Sequence, residues 1–121
     1  RGKRKKADYL LTQKDGNIPL AIVEAKDADH SVGAGMQQAM EYADILNIPF
    51  AYSSNGSGFL EHDFFTGAES ELTLDSFPST EELWQRYLKG KGLTVEKENM
   101  ITEPYYFVFI DILVHHILGQ I

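Results

Sequence analysis

The run "IPLAIVEAK", Ile18 to Lys26, constrains this chain more than any other stretch. A continuous apolar segment of this length, rich in branched side chains, reads as a strand buried on both faces. The chain must therefore supply a sheet and packing material for each side of it. The run closes on Glu24, Ala25 and Lys26, with a further acid, Asp27, directly after. Alternation along a strand puts Glu24 and Lys26 on one face and Ala25 on the other.

The neighbouring segments give that strand its partners. "ADYLLTQ" is apolar and β-favouring, and "KDGN" carries an Asp-Gly hairpin signal, so a first strand pairs back onto the buried one. "DADHSVGAGMQQAMEYADILN" opens with loop residues and glycines, then places Met36, Ala39, Met40, Ala43 and Leu46 at helical spacing, with Asn47 and Pro49 closing the helix. "PFAYSSNGSGFLEHDFFTG" reads as strand, Ser-Asn-Gly turn and strand, and "SELTLDSF" as a further short strand. "PSTEELWQRYLKG" is a helix capped by Ser79 or Thr80, with Glu81 and Glu82 in its first turn and Gly90 at its end. The order β, β, α, β, β, α predicts an α/β domain with a mixed central sheet flanked by helices. A charged connector, "KGKGLTVEKENMITEP", and an apolar tail follow.

With 121 residues, 43% of them hydrophobic, the chain has room for one domain with a real core. It has no cysteine, which excludes disulfides and cysteine zinc sites and fits a cytoplasmic protein. The longest apolar stretch, from Tyr105, contains Asp111 and two histidines and is short for a bilayer span, so no membrane association is expected. The chain starts at Arg1 without a methionine, and we expect a segment of a longer protein. Net charge is −7, yet five of the eleven basic residues lie in the first six positions. The remainder is a poor general nucleic-acid binder, because phosphate neutralisation supplies most non-specific affinity.

Asp8 opens the first strand, so the hairpin brings it beside Glu24, and an Asp, a Glu and a Lys meet at one end of the sheet. Two carboxylates suit a hard divalent cation such as magnesium. A lysine there can orient a water and offset charge developing on a phosphate. The acid-x-Lys triplet alone carries no weight, since about one is expected by chance at this composition. Its setting gives it weight: it ends a buried strand, follows a strand with an Asp and precedes a helix.

Asp8 in "KADYLL", fifteen intervening residues and "VEAK" resemble the PD-(D/E)xK nuclease motif, in the version found near the N-terminus of type I restriction enzyme R subunits. "QQAMEYADILNIPFAYSSNG" resembles that family's Gln-x-x-x-Tyr motif and the strand after it, with Gln38 and Tyr42 at i and i+4 on one helix face. "GFLEHDFFTG" and "LDSFPSTEELWQRY" are similar to its continuation, and the likeness covers about residues 4 to 90. It implies a restriction endonuclease-like fold over residues 1–90, with 91–121 as connector and tail towards a motor region, and an N-terminal helix of that fold outside this chain. It implies magnesium held by Asp8, Glu24 and the Ala25 carbonyl, Lys26 assisting the attacking water, and Gln38 and Tyr42 supporting the catalytic group. DNA contacts are expected from Lys6, Ser54 and Asn55. The implied activity is cleavage of DNA after ATP-driven translocation by domains absent here. No phosphate-binding Gly-x-x-x-x-Gly-Lys loop occurs, so ATP belongs to the full-length protein. Implied partners are methyltransferase and specificity subunits. The alternative is a nuclease-fold module that has lost catalysis and serves to hold DNA or dock a subunit.

The other polar residues invite plainer readings. His115 and His116, adjacent, diverge by about 100° on a helix and suit packing. His30 is expected in a solvated loop. Glu61 and Asp63 share a strand face with His62 opposite, which suggests a surface strand. Trp84 and Tyr87 fit the buried face of the late helix.

Overall fold

The computed structural model describes residues 8–13 and 17–93, and the backbone of 106–108. Four strands and a helix build the centre: β1 (Tyr9–Thr12), β2 (Pro19–Ala25), α1 (Met36–Leu46), β3 (Phe50–Ser54) and β4 (Phe59–Asp63). β5 (Glu69–Leu72), a 3-10 turn at Leu74–Ser76, α2 (Thr80–Lys91) and β6 (Tyr106–Val108) complete it. The six strands form one sheet in the order β5-β4-β3-β2-β1-β6. β2 and β3 run parallel, with α1 as their connection, and every other neighbouring pair is antiparallel. The sheet is mixed and flanked by helices, as the element order predicts. β6 pairs with β1 from within the segment assigned above to connector and tail. The Asp-Gly turn residues, Lys6, His115 and His116 lie outside the described residues.

Alternation along the strands divides the core in two. Leu10, Ile22 and Ala51 meet Met36, Ala39, Tyr42 and Ala43 of α1 on one face. Leu11, Ala21, Val23, Phe50 and Tyr52 meet Leu83, Trp84 and Leu88 of α2 on the other. β2 lies between β1 and β3 under both helices, which is why its sequence is apolar without a break.

The helix ends follow local chemistry. The Ser79 hydroxyl accepts from the Glu82 N–H at 3.1 Å, and Lys89 and Lys91 occupy the last turn, matching the helix dipole at both ends. α1 stops at Asn47, left-handed at φ 58°, as expected. α2 runs past the expected stop: Gly90 is inside the helix and Gly92 is the cap. Gly90 is there because the Phe65 ring occupies the space a side chain would need. A Cβ at this position would lie 2.4 Å from the ring's Cγ and from one Cδ. Gly90→Ala therefore gains helix propensity but forces β4's following loop off α2. We expect a net loss of about 1–2 kcal/mol, read as a lower urea midpoint at unchanged slope.

Candidate active site

The polar end of β2 assembles three of the residues the sequence singles out. Tyr9 pairs with Val23, so Asp8 enters one residue beyond that pair, level with Glu24. Its carboxylate is fixed by the backbone: Asp8 Oδ2 accepts from the Ala25 N–H at 2.7 Å. Glu24 is 5% exposed, on the α1 side of the sheet with Ile22. The Lys26 ammonium stands 4.0 Å from Glu24 Oε2 and remains partly open to solvent. The Lys26 N–H donates to the Ser54 carbonyl at 2.8 Å, which ties the end of β2 to the end of β3. An acid on a strand start, a buried acid and a lysine thus share one end of the two central strands.

Glu24 is backed from the helix side. In the parallel ladder it is level with Ser53, which is fully buried. The Ser53 hydroxyl accepts from the Gly35 N–H at 2.9 Å, and Gly35 is the N-cap of α1. The sequence groups Ser53 with Ser54, Asn55 and Gly56 as a turn near the active edge and reads Gly35 only as a loop glycine, whereas Ser53 lies buried inside β3. Ser53 carried a signal, since a buried strand that ends in two serines has a polar partner to serve; the Gly-Ala-Gly before the helix carried one for Gly35.

Gln38 and Tyr42 are joined, with the Gln38 amide donating to the Tyr42 hydroxyl at 3.0 Å. The Tyr42 ring is buried in the core between α1 and the sheet, and Gln38 is half-buried. Ser54 and Asn55 are committed to the β3–β4 turn. Ser54 Oγ donates to the Gly58 carbonyl at 2.7 Å, and Asn55 Nδ2 donates to the His30 carbonyl at 2.8 Å. That second bond ties the turn to the loop after β2, and leaves the exposed Gly56 and Ser57 at its tip. Asp27, Asp29 and His30 gather on this loop with ligand atoms within 4.8 Å of one another, all three exposed.

The strand "EHD" differs from the surface reading. Glu61 and Asp63 do share a face, yet they are buried, 7% and 8% exposed, because they sit under α2 rather than in water. Arg86 reaches down from α2 and donates to Glu61 Oε2 at 3.0 Å, Glu61 Oε1 at 3.1 Å and Asp63 Oδ2 at 3.0 Å. The Tyr52 hydroxyl adds a bond of 2.6 Å to Glu61 Oε2. Burial opposes the charge on Arg86, but the hydrogen bonds to Glu61 and Asp63 and the charge of Glu61 outweigh it and hold its pKa above the ordinary value. This network faces away from Glu24, on the other side of the sheet.

No family model matches the chain. It is 48% identical over 107 residues to the endonuclease subunit of the type I restriction enzyme EcoAI of Escherichia coli, an alignment covering 84% of this chain. A fragment structure of a predicted HsdR subunit of a type I restriction enzyme from Vibrio vulnificus superposes with a TM-score of 0.67 at 46% identity over 82% of this chain. Over most of its length the chain is related to a segment of type I restriction HsdR subunits. As an HsdR relative it spans 13% of the E. coli protein and 18% of the V. vulnificus chain, so it corresponds to a small part of either. Among the described residues no helix is long and apolar enough to cross a membrane.

Proposed function

We propose that this chain is the nuclease domain of a type I restriction R subunit, of the PD-(D/E)xK kind, hydrolysing DNA phosphodiesters with magnesium. The observation that supports this most is the joint placement of Asp8, Glu24 and Lys26 at one end of β1 and β2, with Asp8 held by the backbone between the other two. Kinship with HsdR subunits supports the substrate and the setting: DNA, a motor elsewhere in the full-length protein that uses ATP, and partner subunits for methylation and specificity.

The donors fit the ion. Asp8 spends Oδ2 on the Ala25 N–H and keeps Oδ1, Glu24 offers a second carboxylate, and Ala25 sits at the open end of β2 with a carbonyl to contribute. These are all hard oxygens, the set magnesium takes alongside waters. When bound, magnesium supplies positive charge to the scissile phosphate and eases deprotonation of water. Lys26 hydrogen-bonds the attacking water and places its ammonium where the phosphate gains negative charge. Attack forms a new oxygen–phosphorus bond and breaks the one to the departing sugar oxygen. Gln38, whose amide donates to the hydroxyl of the core tyrosine Tyr42, takes the supporting role from the first turn of α1, the helix whose N-cap Gly35 adjoins Glu24. The turn tip beyond Ser54 and Asn55 and the Lys6 region supply DNA backbone contacts, and residues 91–121 lead on towards the motor.

The test is magnesium-dependent DNA cleavage by the full-length protein with its partner subunits, wild type against Asp8→Ala and Lys26→Ala, with ATP hydrolysis followed in parallel. Undiminished cutting by both variants overturns the reading and leaves a scaffold that holds DNA or docks a subunit.

A further inference from the structure

We infer that Gly35 and Ser53 are positioning residues that set the Glu24 carboxylate, and so tune the metal affinity of the site; this rests on the nuclease reading above. The inference starts from space. A Cβ on Gly35 would lie 2.7 Å from Glu24 Cγ, 3.2 Å from Glu24 Cβ and 3.1 Å from Ser53 Oγ. Real Cβ atoms do not come that close to a neighbour, so the stem of Glu24 lies directly on the bare backbone of Gly35. Glu24 is itself 5% exposed and flanked by β1 and β3, which leaves its side chain little room to move aside. Gly35 is therefore the back wall of the carboxylate's seat.

The wall is itself fixed. The Gly35 N–H donates to Ser53 Oγ at 2.9 Å, a buried bond eighteen residues apart in sequence, and Ser53 is the residue level with Glu24 on β3. α1 has no side-chain cap on its first turn, so this bond to the sheet is what registers the helix start against β2. The next residue, Met36, is buried in the core and keeps the helix from sliding outward. Two further features follow from the same contact. The positive end of the α1 dipole lies beside Glu24, complementary to a carboxylate. In addition, a ligand whose rotamer is limited by a glycine wall loses less entropy on binding than a free one. Second-layer groups that orient ligands in this way typically change metal affinity 10- to 100-fold when removed.

The experiment is titration of the full-length subunit with manganese, without nucleotide, followed by the electron paramagnetic resonance signal of free ion. Wild type, Asp8→Ala, Gly35→Ala and Ser53→Ala are compared, and the manganese dependence of DNA cutting by the assembled complex is measured beside it. We expect Gly35→Ala to weaken binding at the site lost in Asp8→Ala by about 10- to 100-fold. Ser53→Ala, which adds no bulk and only frees the Gly35 N–H, weakens it several-fold in the same direction. Cutting by both returns towards the wild-type maximum at saturating manganese, a recovery that a merely unfolded domain would not show, and ATP hydrolysis is unchanged. Titrations of Gly35→Ala and Ser53→Ala that superimpose on wild type, while Asp8→Ala has lost the site, overturn the positioning role and leave the nuclease reading standing. An Asp8→Ala titration identical to wild type overturns both.

Discussion

Full-length protein carrying Lys26→Ala, assembled with its partner subunits, hydrolyses ATP at the wild-type rate and cuts DNA at least about 100-fold more slowly, the usual cost of removing one preorganised charge from a site of this kind. The direction follows from where the ammonium stands. Lys26 is 4.0 Å from Glu24 Oε2 and anchored by its own N–H to the end of β3, so its reach is set by the sheet and not by a loop. Truncation to alanine leaves that backbone bond and the core untouched, and the site loses charge without losing shape. Asp8→Ala has the same outcome by another route. It removes one carboxylate and also the acceptor for the Ala25 N–H, so the ion and the strand end both lose a partner. A lysine-specific result is obtained by adding Lys26→Arg. Its charge is kept but spread over a planar fork that cannot occupy a point-charge position, and cutting stays low. If Lys26→Ala cuts DNA as wild type does, the ammonium has no part in the chemistry. If ATP hydrolysis falls together with cutting, the variant acts through the assembly of the complex and the assignment fails.

The sequence revealed different parts of this molecule to different depths, and the boundary has physical causes. β2 was legible because burial on both faces leaves a pattern no surface strand has. Its register with β1 was legible because a hairpin ties pairing to short chain distance, and that alone brings Asp8 to Glu24. The α2 cap was legible because Ser79 acts on a residue three positions away. What stayed hidden depends on contacts between segments distant in sequence. Gly90 looks like a stop signal until the Phe65 ring is seen in its place. Gly35 looks like loop flexibility until Glu24 is seen lying on it. Glu61 and Asp63 look like a solvated pair, since nothing local says that Arg86, 23 to 25 residues further on, will cover them. At the candidate site the sequence brought Asp8, Glu24 and Lys26 together, but it placed Ser53 in a turn and gave Gly35 no contact, because the bond between them and their contact with Glu24 join segments far apart in the chain.

Arg86→Met is expected to be the most damaging single change on the face away from the site, lowering stability by about 3 kcal/mol. The guanidinium makes two parallel bonds to Glu61 and a third to Asp63, and lies 4.5 Å over the Phe50 ring. Methionine replaces the stem and the ring contact but leaves two buried acids without their cation. The Tyr52 hydroxyl on Glu61 and the Phe65 and Thr66 N–H groups on Asp63 then support those carboxylates, and none of the three carries charge. Because Arg86 is about a third open to water, the effect sits at the lower end of what breaking a buried pair costs. At about 4–8 °C per kcal/mol for a domain of this size, the melting temperature falls by more than 10 °C. The pKa of Arg86 is raised on folding, so its stabilisation is complete below the ordinary arginine range and lost only above it. The gap between wild type and variant is therefore the same at pH 9 as at pH 7 as far as Arg86 is concerned. The decisive comparison is the triple variant Glu61→Gln, Asp63→Asn, Arg86→Met. It removes the stranded charge along with its partner, and recovers at least half of what Arg86→Met alone loses. A triple variant less stable than Arg86→Met would show that the carboxylates are needed for their own sake. The network would then be more than a clamp holding α2 on the sheet.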